Sequence, residues 1–135
     1  MSKLETPMTR AYWETVGGTL VEEFCAVNRS NTCGQRLIDG VILPNLETKI
    51  VKATDFDKNI IEGEKIIIVQ TKAARLGMNV LGQAFFSAEL MKRFNPKSIL
   101  SVALVIESDS VLQPIFESFP NMKIVVINND NIIVR

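Results

Sequence analysis

The chain has 135 residues, 47% of them hydrophobic, which is enough for one domain with a core and too short for two ordinary domains. Fifteen basic residues balance fifteen acidic ones, so the chain lacks the net positive charge of a nonspecific nucleic-acid binder. No histidine is present, which excludes serine–histidine and cysteine–histidine triads and histidine-based zinc hydrolases. We therefore expect a single domain over residues 1–135 whose chemistry uses carboxylates, lysine, amides, hydroxyls or a bound metal.

Cysteine usage and hydropathy indicate the compartment. Cys25 and Cys33 lack the CxxC spacing of zinc sites, and no signal peptide precedes them, so we expect reduced thiols in a cytoplasmic protein. No apolar run approaches the ~18 residues that span a bilayer, so no membrane association is expected.

The N-terminal region is predicted to contain a leader, a helix and a loop. Residues 1–9 contain serine, threonine and proline and resemble a loose leader. From residue 10 to residue 27 apolar side chains recur at three- and four-residue steps, which predicts an amphipathic helix with Thr9 as its N-cap. The pair Gly17-Gly18 disfavours a continuous helix, and it permits a kink or a close approach to a neighbouring element.

Three strands are predicted next. Residues 36–43 form an apolar run ended by a proline, and residues 46–51 alternate loosely, as the second strand of a hairpin would. The isoleucine-rich run 65–72 has the strongest strand pattern in the chain.

The C-terminal half alternates helices and strands. Residues 78–94 have helical spacing and residues 111–119 predict a short helix, while residues 99–106 and 122–127 have the pattern of buried strands. Residues 132–134 predict an edge strand. This order favours an α/β domain with a mixed central sheet flanked by helices.

Isolated polar residues interrupt two of the predicted strands. Asp39 lies in the first apolar run, and Gln70 and Lys72 lie near the end of the isoleucine-rich run. Because side chains alternate along a strand, Gln70 and Lys72 share a face. If the two strands pair, all three residues converge at one end of the sheet.

Asp39 followed by Gln70-Thr71-Lys72 resembles the restriction-endonuclease-like superfamily, whose motif is written PD-(D/E)XK. The resemblance implies an αβββαβ core over residues 10–106, followed by a C-terminal helix and strands. Two positions depart from the motif: Ile38 replaces the proline, and Gln70 replaces the acidic residue of the trio.

The resemblance implies further site residues. A polar residue on the helix after the lysine corresponds to Gln83. An acidic residue on the first helix corresponds to Glu23, with Glu22 as the alternative. Each has a plain structural reading as well: Glu23 could lie on a solvated helix face, and Gln83 could bond the backbone near a helix start.

By the same resemblance, the chain is expected to be a Mg²⁺- or Mn²⁺-dependent DNA endonuclease without an organic cofactor. Asp39, the Gln70 amide oxygen and the Thr71 carbonyl are the expected metal ligands, and Lys72 is expected to position the attacking water or to stabilise charge on the phosphate. A homodimer is expected because two-fold DNA is commonly cut by two-fold proteins. Two alternatives stay open: a catalytically inactive nuclease fold in a binding or regulatory subunit, and an unrelated α/β oligomerisation domain.

Overall fold

A six-stranded mixed sheet forms the centre of the structure, a computed structural model that describes residues 3–134. The strands are β1 (Thr19–Val27), β2 (Arg36–Leu43), β3 (Lys49–Lys52), β4 (Lys65–Arg75), β5 (Ser98–Glu107) and β6 (Met122–Val126). The helices are α1 (Glu5–Val16), α2 (Met78–Met91) and α3 (Leu112–Glu117), with short 3₁₀ helices at Ala53–Asp55, Lys58–Ile61 and Lys92–Phe94.

The sheet joins an antiparallel half to a parallel half. Its strand order is β3-β1-β2-β4-β5-β6; β1, β2 and β4 are antiparallel neighbours, and β4, β5 and β6 run parallel. The parallel half needs crossover connections, which α2 and α3 supply. The prediction of an α/β fold with a mixed sheet flanked by helices is confirmed.

The helices cover opposite faces of this sheet. α1 packs on one face through Met8 and Tyr12, against buried residues of β1, β2, β4 and β5. α2 and α3 cover the other face, where Val80, Ala84 and Phe116 pack against β5 and β6. Among residues 3–134, no helix combines the length and apolar content that crossing a membrane requires.

The N-terminal prediction was wrong in three respects. α1 begins at Glu5, so residues 5–9 are helical rather than a loose leader, and Thr9 lies inside the helix rather than at its N-cap. The helix ends at Val16, and the remainder of the predicted helix 10–27 forms β1. Residues 1 and 2 of the predicted leader lie outside the described residues.

Gly17 and Gly18 explain where the helix ends. Both have positive φ, 82° and 79°, which L-residues rarely adopt, so the chain leaves the helix here. A Cβ on Gly18 would lie 2.3 Å from the Leu43 oxygen, so this position requires glycine for close approach to β2. The indole Nε1 of Trp13 donates to the Gly18 oxygen at 2.8 Å and ties α1 to the turn.

Two strand predictions failed on pairing. The predicted hairpin strand 46–51 corresponds to β3, but β3 pairs parallel to β1 instead of antiparallel to β2. The predicted edge strand 132–134 is reduced to one isolated bridge between Ile127 and Ile133. Pairing partners depend on tertiary contacts, which a strand's own side-chain pattern does not specify.

Candidate active site

The site begins where the pairing between β2 and β4 ends. The antiparallel register is formed from Ile42 opposite Ile67 to Gly40 opposite Val69. Beyond Val69, the backbone N–H groups of β4 that point toward β2 need other hydrogen-bond acceptors, because a buried N–H group without a partner costs free energy.

Two carboxylates supply those acceptors. The N–H of Thr71 donates to Asp39 Oδ2 at 2.8 Å, and the N–H of Ala73 donates to Glu5 Oε2 at 3.3 Å. Asp39 comes from β2 and Glu5 from the first turn of α1. The end of β4 therefore brings together carboxylates that are 34 positions apart in the sequence.

Burial dominates the electrostatics of Asp39. It raises the pKa of the Asp39 carboxyl above its usual value, because the charged form loses hydration. The hydrogen bond from Thr71 lowers the pKa, while the nearby Glu5 and Glu23 carboxylates raise it. Asp39 thus lies in a partly dehydrated position near other carboxylates, and a bound cation would stabilise its charged form.

Asp39 lies between two clefts at this end of the sheet. The first cleft has a volume of about 440 Å³ and the second about 420 Å³. Asp39 and Gln83 line both. The first cleft is also lined by Gln35, Arg36, Leu37, Ile38, Gln70, Gly82, Phe86, Ser87 and Leu90. The second is also lined by Glu5, Thr71, Lys72, Ala74, Arg75, Gly77, Asn79 and Val80.

Gln70 lies in the first cleft and is nearly completely buried. Its amide Nε2 donates to Ser87 Oγ on α2 at 2.8 Å. With the amide nitrogen engaged, the carbonyl oxygen is the atom of Gln70 that is left to act as a metal ligand. That oxygen is neutral, so it attracts a divalent cation less than the carboxylate expected at this position.

Thr71 faces the opposite side of the sheet. Its hydroxyl lies 2.7 Å from Thr9 Oγ1, and both residues are buried. Thr9 Oγ1 also donates to the Glu5 carbonyl oxygen at 3.0 Å. This contact fixes the start of α1, and with it Glu5, beside the end of β4.

Gly40 allows this close packing. A Cβ at Gly40 would lie 3.1 Å from Thr9 Cγ2 and 3.1 Å from Leu20 Cδ1, tighter than ordinary contacts. The Asp39-Gly40 pair therefore combines a site carboxylate with the small residue that lets α1 approach β2.

Lys72 is exposed and lines the second cleft together with Asp39, Thr71 and Glu5. Its position two residues after Gln70 gives it the same strand face, but Gln70 opens into the first cleft. Gln83 on α2 borders both clefts. Asp39 and Gln83 thus link the otherwise separate surroundings of Gln70 and Lys72.

Glu23 was predicted to lie on the first helix. It lies on β1 instead, because the helix ends at Val16. It is exposed and has φ of +51°, an unusual conformation for a non-glycine residue within a strand. It lies close enough to Asp39 to raise the pKa of that carboxyl, yet it lines a separate cleft with Lys52. Its alternative, Glu22, forms an ion pair with Arg10, with Nε to Oε2 at 2.8 Å.

Sequence reasoning missed Glu5 and Ser87. A glutamate followed two residues later by Pro7 is typical of the first turn of a helix, so the signal for Glu5 was present. Ser87 gave no comparable signal, since its partner depends on how α2 packs against β4.

The donors at this site fit a hard cation in kind but are few in number. Asp39 and Glu5 offer carboxylates, and the Gln70 amide and Thr71 carbonyl offer neutral oxygens, which are the ligand types Mg²⁺ prefers. Within residues 3–134, no group of three or more histidine, cysteine, aspartate or glutamate side chains is placed to hold a metal. A cation here would keep several waters.

Comparisons of the chain with protein-family models, curated proteins and solved structures gave no match.

Proposed function

We propose that this protein is a restriction-endonuclease-like, Mg²⁺-dependent DNA endonuclease whose site lies at the end of β4. The observation that carries the proposal is the 2.8 Å hydrogen bond from the Thr71 N–H to Asp39 Oδ2. It joins the two parts of the sequence motif, the aspartate on one strand and the Gln70–Lys72 trio on its antiparallel neighbour. The mixed sheet with α1 and α2 on opposite faces supports the same proposal.

Asp39 and Glu5 are the proposed carboxylate ligands, and the Thr71 carbonyl and the Gln70 amide oxygen are the proposed neutral ones. Glu5 takes the role that the sequence assigned to Glu23, since Glu5 is the acidic residue of α1 that lines the second cleft. Mg²⁺ held by these residues would polarise the phosphodiester and lower the pKa of a bound water.

The protein side chains have separate tasks in this proposal. Lys72, exposed in the second cleft, places its ammonium group beside the developing negative charge on the phosphate. Gln83, on the border of both clefts, is an amide that can hold a substrate phosphate or a water by hydrogen bonds.

A plasmid assay tests the proposal. Supercoiled DNA is incubated with the protein and Mg²⁺ or Mn²⁺, in parallel with Asp39→Asn and Lys72→Met. Lys65→Met is the matched control, since Lys65 is an exposed lysine at the other end of the same strand. We expect nicking by the native protein and by Lys65→Met, and at least a hundredfold loss in the two site variants. Cleavage retained by both site variants would rule out this site.

One observation favours a second candidate function, a nuclease fold that binds DNA without cutting it. Gln70 stands where a carboxylate is expected, and its amide is engaged by Ser87. Under this alternative, the native protein retains DNA binding in a gel-shift assay but shows no metal-dependent nicking. Restoration of nicking by Gln70→Glu would then identify the glutamine as the cause.

A further inference from the structure

We infer that the outer face of α2 and α3 is the contact surface between two copies of this chain. The inference concerns assembly and does not depend on nuclease activity. The surface is an apolar groove of about 470 Å³, here called the α2–α3 groove. It is lined by Met78, Leu81, Gly82, Phe85, Phe86, Leu112, Ile115, Phe116 and Phe119.

The composition of α2 is the first observation. Its inner face is buried through Val80, Ala84 and Ala88. Its outer face is also apolar, with Met78 76% exposed and Phe86 62% exposed. The exposed polar residues of α2, Asn79, Gln83 and Glu89, occupy another part of its surface, so its exposed apolar side chains form a stripe that the sheet does not cover.

α3 extends the apolar surface beyond α2. Ile115 is 56% exposed and Phe119 46% exposed. The ring of Phe119, two residues after the end of α3, meets the ring of Phe85 edge to face with centroids 5.4 Å apart, so α2 and the segment from α3 to Phe119 form one continuous apolar surface. Large exposed apolar patches of this kind mark interaction sites.

The chemistry of the groove selects a protein partner over a nucleic acid. Among the described residues, the nine that line the groove include no lysine and no arginine. Nucleic acids gain most of their binding energy from phosphate contacts with cations, which this surface does not offer.

The exposed area suits a second copy. With full side-chain areas of about 150–250 Å², the exposed apolar side chains present on the order of 600 Å². A standard interface buries roughly 800 Å² per partner, so this patch forms most of one and its polar rim supplies the remainder.

A two-fold arrangement also fits the shape of α2. Gly82 lies on the outer face between Met78 and Phe86, and a Cβ there would have no atom within 4 Å. Glycine at this position lets a second α2 approach closely across a two-fold axis. Because Gly82 and Phe86 also line the first cleft, the second copy would lie beside the candidate active site.

Analytical ultracentrifugation over a range of concentrations tests the inference. We expect the native chain to dimerise. Phe86→Glu should raise the dimer dissociation constant at least tenfold, because a two-fold contact would bury one glutamate carboxylate from each copy. Ile132→Glu is the control, because Ile132 is equally apolar and 58% exposed but lies in the C-terminal turn. If Phe86→Glu loses its near-ultraviolet circular dichroism, Met78→Glu replaces it.

Cross-linking locates the contact. In a Cys25→Ser/Cys33→Ser background, Met78→Cys, which is 76% exposed in the groove, should be joined to its symmetry mate by a short bismaleimide, and Ile132→Cys should not. A native chain that stays monomeric at every concentration would overturn the inference. So would a dimer that Phe86→Glu or Met78→Glu leaves intact and that Met78→Cys does not cross-link.

Discussion

Replacing Gln70 by glutamate changes the feature that separates this site from the motif it resembles. The register of β2 and β4, continued one step beyond Gly40 and Val69, places Asp39 opposite Gln70. Gln70→Glu therefore puts a second carboxylate beside Asp39 in a position that is only 4% exposed. The variant should be less stable without a divalent cation and should bind the cation more tightly.

The loss of stability in Gln70→Glu without a cation can be worked out from the repulsion between the two carboxylates. Two carboxylates about 6 Å apart repel by about 3 kcal/mol at an effective dielectric constant of about 20. For a chain of this length, that corresponds to a fall of roughly 10 °C in the melting temperature. A cation at one hundred times its dissociation constant returns about 2.7 kcal/mol, so Mg²⁺ should restore most of the loss.

Thermal unfolding with and without 10 mM Mg²⁺ measures both effects. Gln35→Glu is the matched control, since it adds the same charge at the exposed mouth of the first cleft. The melting temperature of Gln35→Glu should stay close to that of the native chain with and without Mg²⁺. If Mg²⁺ stabilises Gln70→Glu no more than Gln35→Glu, or if adding Asp39→Asn leaves the Mg²⁺ effect intact, the two residues do not form one metal site.

Three further predictions concern the surroundings of the site. Thr9→Val leaves the Thr71 hydroxyl without its 2.7 Å partner and should cost about 1–3 kcal/mol in urea unfolding, whereas the double variant with Thr71→Val should cost less than the sum of the single variants. Burial raises the pKa of Asp39 above 3.8, so native stability should fall as pH rises from that value through the raised pKa. Asp39→Asn should abolish this component, and an unchanged pH profile in that variant would contradict it. Gly18→Ala should destabilise by about 3 kcal/mol or more, because its Cβ would lie 2.3 Å from a β2 carbonyl oxygen. Gly77→Ala, with φ of −139° and the Arg75 carbonyl oxygen at an ordinary contact distance of 4.0 Å, should stay within about 1 kcal/mol.

The sequence was most informative where local pattern and tertiary role agree. The isoleucines of β4, the helical spacing of α2 and the continuous apolar run of β5 each predict an element that the structure contains. Two of them, β4 and α2, line the candidate site. Their order was enough to predict the α/β class.

Prediction failed where a turn or a pairing partner decides the structure. Leu20, Val21 and Phe24 have helical spacing, but the positive φ of Gly17 and Gly18 ends the helix before them. The error placed Glu23 on a helix instead of a strand and assigned Glu5 to a loose leader instead of a helix. The contact between Glu5 and Ala73 joins residues 68 positions apart, which side-chain periodicity does not encode.

The most direct test of the proposed site is where a paramagnetic cation binds. Mn²⁺ at substoichiometric concentration broadens amide signals near its binding site in a ¹H–¹⁵N correlation spectrum. We expect broadening centred on Asp39, Thr71 and Lys72, and its loss in Asp39→Asn. Broadening that is absent, or that is centred elsewhere and persists in Asp39→Asn, would contradict a metal site at the end of β4.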